Sequence, residues 1–286
     1  IEEVLIKEKP EMVVVFGDTN STIAGSLAAS KLHIPVAHVE AGLRSFNMLM
    51  PEEINRILTD RISDMLFCPT QTAVENLKKE GFDTFDSQII VSGDVMYDVA
   101  LYYSRISQKH STIISEQDLK NKSFVLTTLH RQENTDDLIR LNSIIEALNE
   151  LAKTQKIILP IHPRTKKIIE REKIELNFNP VDPVGYFDMI ELLKNCSFVI
   201  SDSGGLQKEA FFFEKNCLVI RDETEWTELV DLGYNFIVGA DKQKILDTAG
   251  KISEKQSEFI ERPYGEGNAA ELIASHIKQY LEPKES

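Results

Sequence analysis

The chain has 286 residues, 42% of them hydrophobic, and a formal net charge of −14. That length and apolar content can supply two buried cores of ordinary size, and the acidic balance gives no broad cationic surface for nucleic acid or an anionic membrane, so any phosphate must be met by a locally basic pocket. Cys68, Cys196 and Cys217 are odd in number, lie in or beside apolar runs and show no C-x-x-C spacing, which points to buried thiols in a reducing, cytoplasmic compartment and away from a zinc knuckle or a disulfide framework.

No stretch approaches the roughly eighteen consecutive apolar residues of a membrane span, and no charged-then-apolar segment resembles a secretory leader. The chain opens at Ile1 without a methionine, in what reads as the middle or end of an amphipathic helix closed by Pro10. Met12 to Phe16 is then a continuous apolar run, as a strand buried on both faces requires. After Gly17-Asp18-Thr19-Asn20-Ser21, the residues Ile23, Leu27 and Leu32 form a helical stripe, and Pro35 to Val39 resumes a strand. The pattern continues with a helix from about Pro51 to Ile62, a strand from Met65 to Cys68, a helix from Thr72 to Lys79, a strand from Ile89 to Val91 and a helix from Val95 onward.

Polarity rises from Ser107 to Lys122 without a sustained apolar run, which places a domain boundary there. A second α/β series follows. Phe124 to Leu129 reads as a strand, and Leu138, Leu141, Ile144, Ile145, Leu148 and Leu151 as a helical stripe covering a sheet. Further strands are expected at Ile157 to Ile161, Phe198 to Ile200 and Leu218 to Ile220. The expected fold is α/β, two doubly wound Rossmann-like layers, in which ligands bind beyond the carboxyl ends of the strands.

The loops at those ends are chemically loaded: Gly17-Asp18-Thr19, Glu40-Ala41-Gly42-Leu43-Arg44, His130-Arg131-Gln132-Glu133-Asn134, His162-Pro163-Arg164 and Asp202-Ser203-Gly204-Gly205. The last joins a strand to a helix start, where unpaired backbone N–H groups and a partial positive charge suit an anion and the glycines let it approach. Each loop also has a plainer use. Ser203 can merely cap its helix, Asp18 can hold a turn, Glu40 can pair with Arg44, and His130 or His162 can be a satisfied strand-end histidine. Glu52 and Arg56, at i and i+4 of a helix opening at Pro51, can form a surface ion pair or hold a carboxylate beside a cation at a cleft. Taken together, the loops describe an interdomain cleft with acids on one wall and His, Arg and a phosphate-type turn on the other.

The stretches Gly17-Asp18-Thr19, His38-Val39-Glu40-Ala41-Gly42-Leu43-Arg44, Pro51-Glu52-Glu53-Ile54-Asn55-Arg56, Leu129-His130-Arg131, His162-Pro163, Asp202-Ser203-Gly204-Gly205 with Gln207 and Glu209, and Arg221-Asp222-Glu223-Thr224-Glu225 resemble the non-hydrolysing UDP-N-acetylglucosamine 2-epimerases in order and over nearly the whole chain. The resemblance implies two Rossmann-like domains facing across a cleft in the glycosyltransferase-B manner: residues 1–106, residues 107–267 for the nucleotide, and a last segment, 268–286, whose helix from Asn268 to Leu281 crosses back to the first domain. It implies a homodimer, a UDP-sugar substrate used in making cell-surface polysaccharide, and no metal or other cofactor. The family's amino-terminal strand and its Gly-Thr-Arg-Pro-Glu turn have no counterpart here, so the first domain is expected to be incomplete and the chain to have little epimerase activity alone. Where many members carry Glu-Arg-Pro-Glu, this chain has Glu225-Trp226-Thr227-Glu228; members acting on other UDP-sugars, including diacetamido uronic acids, can carry tryptophan there.

By match to the family, Asp18, Glu40 and Glu52 form the acid/base group, Arg56 positions, and His130 meets the leaving diphosphate. Ser203, Gly204 and Gly205 would hold phosphate, Glu209 would accept from ribose hydroxyls, and His162 and Arg221 would add to substrate binding. Competing readings are a glycosyltransferase of the same architecture, hydrolytic release of UDP, and a UDP-binding module without turnover.

Overall fold

Short apolar runs punctuated by glycine and small polar turns set the architecture. In the computed structural model, which describes residues 1–120, 123–255 and 257–282, nearly every such run becomes a strand of a parallel sheet. Three expectations fall partly outside the described residues: residues 121 and 122 of the polar boundary stretch, residue 256 of the second expected domain, and residues 283–286 of the last segment.

The first series comprises α1 (Glu2–Glu8), β1 (Val13–Phe16), α2 (Asn20–Lys31), β2 (Val36–Val39), α3 (Pro51–Arg61), β3 (Met65–Cys68), α4 (Gln71–Lys79), β4 (Gln88–Val91) and α5 (Val95–His110). Its strands pair in parallel in the order β1-β2-β3-β4, with Phe16 opposite Val39 and Val39 opposite Phe67. Alternation along β3 sends Leu66 and Cys68 towards Ala73, Val74 and Leu77 of α4, and Met65 and Phe67 to the opposite face with Ala37 and Val39. That face is covered by Ile273 of a late helix. Each large apolar side chain buried in this way stabilises the fold by about 1.5–3 kcal/mol.

The second series is α6 (Ile113–Glu116), β5 (Phe124–Thr128), α7 (Gln132–Thr135), α8 (Leu138–Leu151), β6 (Lys156–Ile158), α9 (Pro163–Glu172), α10 (Tyr186–Asn195), β7 (Phe198–Ser201), α11 (Gly204–Phe212), β8 (Cys217–Val219), α12 (Thr227–Asp231), β9 (Asn235–Ile237) and α13 (Lys242–Glu254). The strands are parallel in the order β6-β5-β7-β8-β9. Val125, Phe198 of the strand beside it, Ile200 and Leu218 pack with α8, α9 and α13 on one face. Phe124, Leu126, Val199, Cys217 and Val219 pack with α10 and α11 on the other. This is a sheet wound on both sides, as the apolar runs predict.

The late helix α14 (Ala269–Leu281) belongs with the first series. Its first N–H groups, from Ala269 and Ala270, donate to the Asp98 carboxylate of α5 at 3.1 and 2.7 Å. The two compact units are Ile1–Val99 with the described residues from Arg262 onward, and Ala100–Glu261. The changeovers therefore stand at 99/100 and 261/262, beside the expected 106/107 and 267/268. Polarity is a poor marker here because α5 is one continuous helix, and Ser107 and Ser111, at and just beyond its end, donate to Glu191 and Asp188 of α10 at 2.5 and 2.6 Å.

Two local expectations need correction. Helix α2 does not bury a stripe of Ile23 and Leu27; it buries Thr22, Gly25, Ser26 and Ala29, Leu27 is 49% exposed, and of the expected stripe only Leu32, just beyond the helix, packs partly buried against the core. Small residues let the helix lie close to β1, where a Cβ on Gly25 would already stand 3.3 Å from the Val15 side chain. The strand expected to reach Ile161 ends at Ile158, since Pro160 has no N–H for a ladder and makes only an isolated bridge to Val181.

Candidate functional site

In the first unit the acids sit where strands end. After β1 the chain turns at Gly17 (φ 64°), and Thr19 caps α2 through a reciprocal pair with Thr22. Asp18 lies between these and is pinned by α3. Arg56 reaches its Oδ2 with two nitrogens, at 2.7 and 3.0 Å, and Asn55 Nδ2 donates to its backbone carbonyl at 2.9 Å. The same Arg56 bonds Glu53 Oε2 at 2.9 Å.

Glu53 is buried and also accepts from the N–H groups of Ser45 and Phe46, both at 2.9 Å, and from the Ser45 hydroxyl. Burial alone would push its carboxyl up; those N–H groups and Arg56 outweigh it and hold Glu53 below the usual carboxylate range. Arg56 thus turns to Asp18 and Glu53, and the expected Glu52–Arg56 pair is replaced by this bridge. The reason is helix phase: with Pro51 at the first position, Glu52 faces solvent and Glu53 faces the 45–46 loop.

Glu40 follows β2 with a left-handed backbone, φ 75°, which non-glycine residues seldom adopt. Its N–H and that of Ala41 both donate to Phe67 O, at 3.1 and 3.0 Å. Gly42 comes next but one at φ 78°, where a Cβ would stand 2.5 Å from the Ala73 carbonyl oxygen, so only glycine fits. Glu40 Oε2 stands 3.4 Å from where a Cβ on Gly17 would be, so this carboxylate lies against the turn that carries Asp18. Arg44 is not its partner: Arg44 is engaged with Asp60 at 2.7 Å and with Glu80 at 2.6 Å.

The second unit gathers the cationic and N–H groups. β5 and β7 are neighbours, with Thr128 opposite Ser201, so the residues just after them meet. Asp202 Oδ2 accepts from the backbone N–H of His130 and of Arg131, both at 2.9 Å, and Oδ1 lies 3.1 Å from His130 Nδ1. Burial would raise the Asp202 carboxyl, but the His130 ring and these N–H groups prevail and hold it low.

Ser203 caps α11, its hydroxyl accepting from Leu206 N–H at 3.4 Å, while its own N–H donates to Ser201 Oγ at 2.9 Å. Gly204 and Gly205 occupy the first two helical positions, whose N–H groups have no acceptor within the helix. A Cβ on Gly205 would meet nothing within 4 Å, whereas one on Gly204 would stand 2.2 Å from Glu225 Oε1. Trp226 is buried and donates from its indole N–H to the Gly204 carbonyl at 2.8 Å. Arg221 bonds Glu225 at 2.8 Å and Glu133 at 3.2 Å. Glu209 lies further along α11; burial pushes its carboxyl up, against a hydrogen bond from the Tyr186 hydroxyl. His162 caps α9, Nδ1 accepting from Arg164 N–H at 3.2 Å, and is exposed.

Of the residues singled out by sequence, Asp18, Glu40 and Arg56 come together in the first unit, with Glu52 exposed at the start of α3. His130, Ser203, Gly204 and Arg221 lie with Asp202 and Glu225 at one end of the second sheet. Sequence reasoning assigns no role to His38, Glu53, Asp60 or Asp202. His38, Glu53 and Asp202 stand inside the stretches that carry the resemblance without being told apart from their neighbours there, and Asp60 lies outside them. Among the described residues no group of three or more His, Cys, Asp and Glu side chains could hold a metal ion, and no helix is long and apolar enough to cross a membrane.

A sequence profile of the family described as UDP-N-acetylglucosamine 2-epimerase matches residues 1–278. The chain is 52% identical over 278 residues to a UDP-2,3-diacetamido-2,3-dideoxy-D-glucuronate 2-epimerase of Pseudomonas aeruginosa, covering 97% of this chain and 77% of that protein. It is similar to the crystal structure of Methanocaldococcus jannaschii UDP-GlcNAc 2-epimerase in complex with UDP-GlcNAc and UDP, with a TM-score of 0.82 at 41% identity, covering 97% of this chain and 78% of that one. The Neisseria meningitidis UDP-GlcNAc 2-epimerase bound to UDP-GlcNAc matches with a TM-score of 0.83 at 34% identity, covering 97% and 79%.

Proposed function

The chain belongs to the UDP-N-acetylglucosamine 2-epimerase family, and on that premise we propose that it inverts C2 of a UDP-2-acetamido sugar, converting UDP-N-acetylglucosamine to UDP-N-acetylmannosamine and back. The observation that carries the reading is the placement of Asp18 and Glu40 after adjacent parallel strands, the one held by Arg56 and the other on a left-handed backbone. Backbone strain kept at a carboxylate is a mark of a working group.

In a closed pyranose the C2 proton adjoins no carbonyl and is not acidic enough for simple removal. Departure of UDP from C1 supplies the driving force. As the C1–O bond breaks, positive character at C1 acidifies the C2 proton, a carboxylate takes it, and the C1–C2 double bond of a 2-acetamidoglucal forms. A proton then returns to the opposite face of C2 and UDP re-forms the C1–O bond, so no atom is gained or lost. Asp18, Glu40 and Glu52 divide the proton transfers. His130, Arg221, the Ser203 hydroxyl and the N–H groups of Gly204 and Gly205 receive the diphosphate, and Glu209 accepts from the ribose.

A second substrate, UDP-2,3-diacetamido-2,3-dideoxy-D-glucuronate, is favoured by the 52% identity to the Pseudomonas enzyme and by Trp226, whose indole is built into the phosphate-side turn. We also propose a cytoplasmic homodimer, with Cys68, Cys196 and Cys217 as buried free thiols. The test is to follow each UDP-sugar by NMR in D2O with the chain extended upstream through a Gly-Thr-Arg-Pro-Glu segment, since the 286-residue chain alone is expected to turn over little. Epimer formation with deuterium at C2 is expected. A C2 that stays protonated in the epimer excludes the elimination route, and UDP released with free sugar makes the enzyme a hydrolase.

A further inference from the structure

We propose that Asp202 is the positioning residue of the second unit, holding the His130 ring with Nδ1–H on its carboxylate so that Nε2 is the ring atom offered to the diphosphate. This rests on the reading of His130 as the group that meets departing UDP.

The two side chains differ sharply in exposure. That of Asp202 is wholly buried, while 40% of the His130 side chain remains exposed. A buried carboxylate at the end of a strand needs a reason, since its desolvation must be offset by hydrogen bonds. Here the two oxygens differ. Oδ2 accepts from two consecutive backbone N–H groups, those of His130 and Arg131, whereas buried Oδ1 has no aligned hydrogen bond among the described residues and His130 Nδ1, at 3.1 Å, is the group set against it.

The carboxyl is held in its charged form, and a carboxylate can only accept. The nitrogen facing it therefore carries hydrogen. That fixes the ring: Nε2 points away from Asp202, as a donor when the ring carries both protons and as an acceptor when it carries one. The Asp202 backbone lies between Ser201, which pairs with Thr128 of the neighbouring strand, and Ser203, which caps α11. One residue thus ties the strand that delivers His130 to the turn that presents Gly204 and Gly205. The plainer possibility is that Asp202 only pins the backbone of residues 130 and 131.

Asp202→Asn separates the two. Its amide oxygen in the place of Oδ2 still accepts both backbone N–H groups, but its NH2 in the place of Oδ1 now donates to Nδ1. The ring is then forced into the neutral Nε2–H form while the backbone stays pinned. Calorimetric UDP titration of the 286-residue chain would compare wild type, Asp202→Asn, His130→Ala and the double variant, and nitrogen NMR of the histidine rings would report which ring atom is protonated.

The expected results are a protonated Nδ1 at His130 in the wild type and a loss of about tenfold in UDP affinity for Asp202→Asn, as for exchange of a charge-assisted hydrogen bond from the imidazolium for a neutral one. The double variant should bind no more weakly than His130→Ala alone. Wild-type affinity in Asp202→Asn beside weakened binding in His130→Ala overturns the positioning role and leaves the His130 reading intact, and so does a double variant in which the two losses multiply. An unchanged affinity in His130→Ala removes the His130 reading itself. If Asp202→Asn does not fold, or if the wild type binds no UDP, the wild-type ring spectrum still decides, because an unprotonated Nδ1 overturns the inference.

Discussion

His38 and Asp60 meet at 2.6 Å in the interior of the first unit, neither side chain exposed, and the far nitrogen of the same imidazole lies 2.8 Å from the Gly17 carbonyl. The second oxygen of Asp60 accepts from Gly42 N–H at 3.1 Å and from Arg44 at 2.7 Å. A single carboxylate on α3 therefore sets the turns after β1 and β2, which are the turns that carry Asp18 and Glu40. Arg44 closes the network on Glu80; burial would lower its guanidinium, but Glu80 and Asp60 hold it firmly charged.

Removing that carboxylate should therefore damage fold and chemistry together. Asp60→Ala leaves His38 and Arg44 buried without it, a loss of about 3–5 kcal/mol. Hydrogen exchange of the β1 to β3 amides would measure it. A cost under about 1 kcal/mol would show that the network is dispensable.

Asp18 and Arg56 should separate binding from turnover. Asp18→Asn is expected to slow deuterium entry at sugar C2 by about 10²–10⁴-fold, the usual worth of a positioned acid or base. Arg56→Lys keeps the charge but cannot span Asp18 and Glu53 with a planar fork, and should cost about a hundredfold through misplacement of Asp18. UDP affinity, read by calorimetry, should stay near wild type in both. An Asp18→Asn chain that exchanges at full rate takes Asp18 out of the acid/base group.

The paired glycines at the start of α11 give a sharper contrast. Gly205→Ala places a methyl where nothing stands within 4 Å, so stability should hold or rise by up to about 1 kcal/mol through helix propensity. UDP affinity should nevertheless fall, because the methyl occupies the space a phosphate would take. Gly204→Ala drives a Cβ against Glu225, which Arg221 holds, and should lose both stability and affinity. If Gly205→Ala binds UDP as wild type does, the phosphate does not sit on this turn.

Acid should weaken the first unit through Glu53. Its carboxyl is held below the unfolded value of about 4.3, so its contribution is complete above that value and is lost as pH falls through the folded one. Glu53→Gln should accordingly cost about 1–3 kcal/mol near neutral pH and almost nothing once the pH has fallen below the folded value. Glu209 runs the other way: burial pushes its carboxyl up, so the folded state is penalised above the unfolded value and relieved as pH falls. Glu209→Gln should raise stability at neutral pH. Melting curves across the acid range would check both, and an acid limb unchanged in Glu53→Gln would contradict the first.

Most strands are legible in the sequence because a buried parallel strand leaves an uninterrupted apolar run, and Met65–Cys68 matches its run to the residue. β9 is not, since Asn235 is a buried polar residue at its start and only Phe236 and Ile237 complete the strand. The strand-end acids are legible for a related reason: parallel topology alone brings the loops at the carboxyl ends of neighbouring strands to one edge of a sheet. Glu53 is harder to distinguish from Glu52 because the choice between consecutive residues depends on the path of the 45–50 loop. The partnerships His38–Asp60 and His130–Asp202 span 22 and 72 positions. No local pattern announces contacts of that kind, which arise only when the sheet is assembled.

The return of α14 to the first unit imposes an order on biosynthesis. Residues 100–261 of the second unit have all been made while Ala37, Val39, Met65 and Phe67 still wait for Ile273 to cover them. A ribosome making this chain thus finishes the second unit first and holds the earlier one open until α14 has emerged. Throughout that interval the uncovered strand face is what a nascent-chain chaperone would meet, and the earlier of the two units is the later to close.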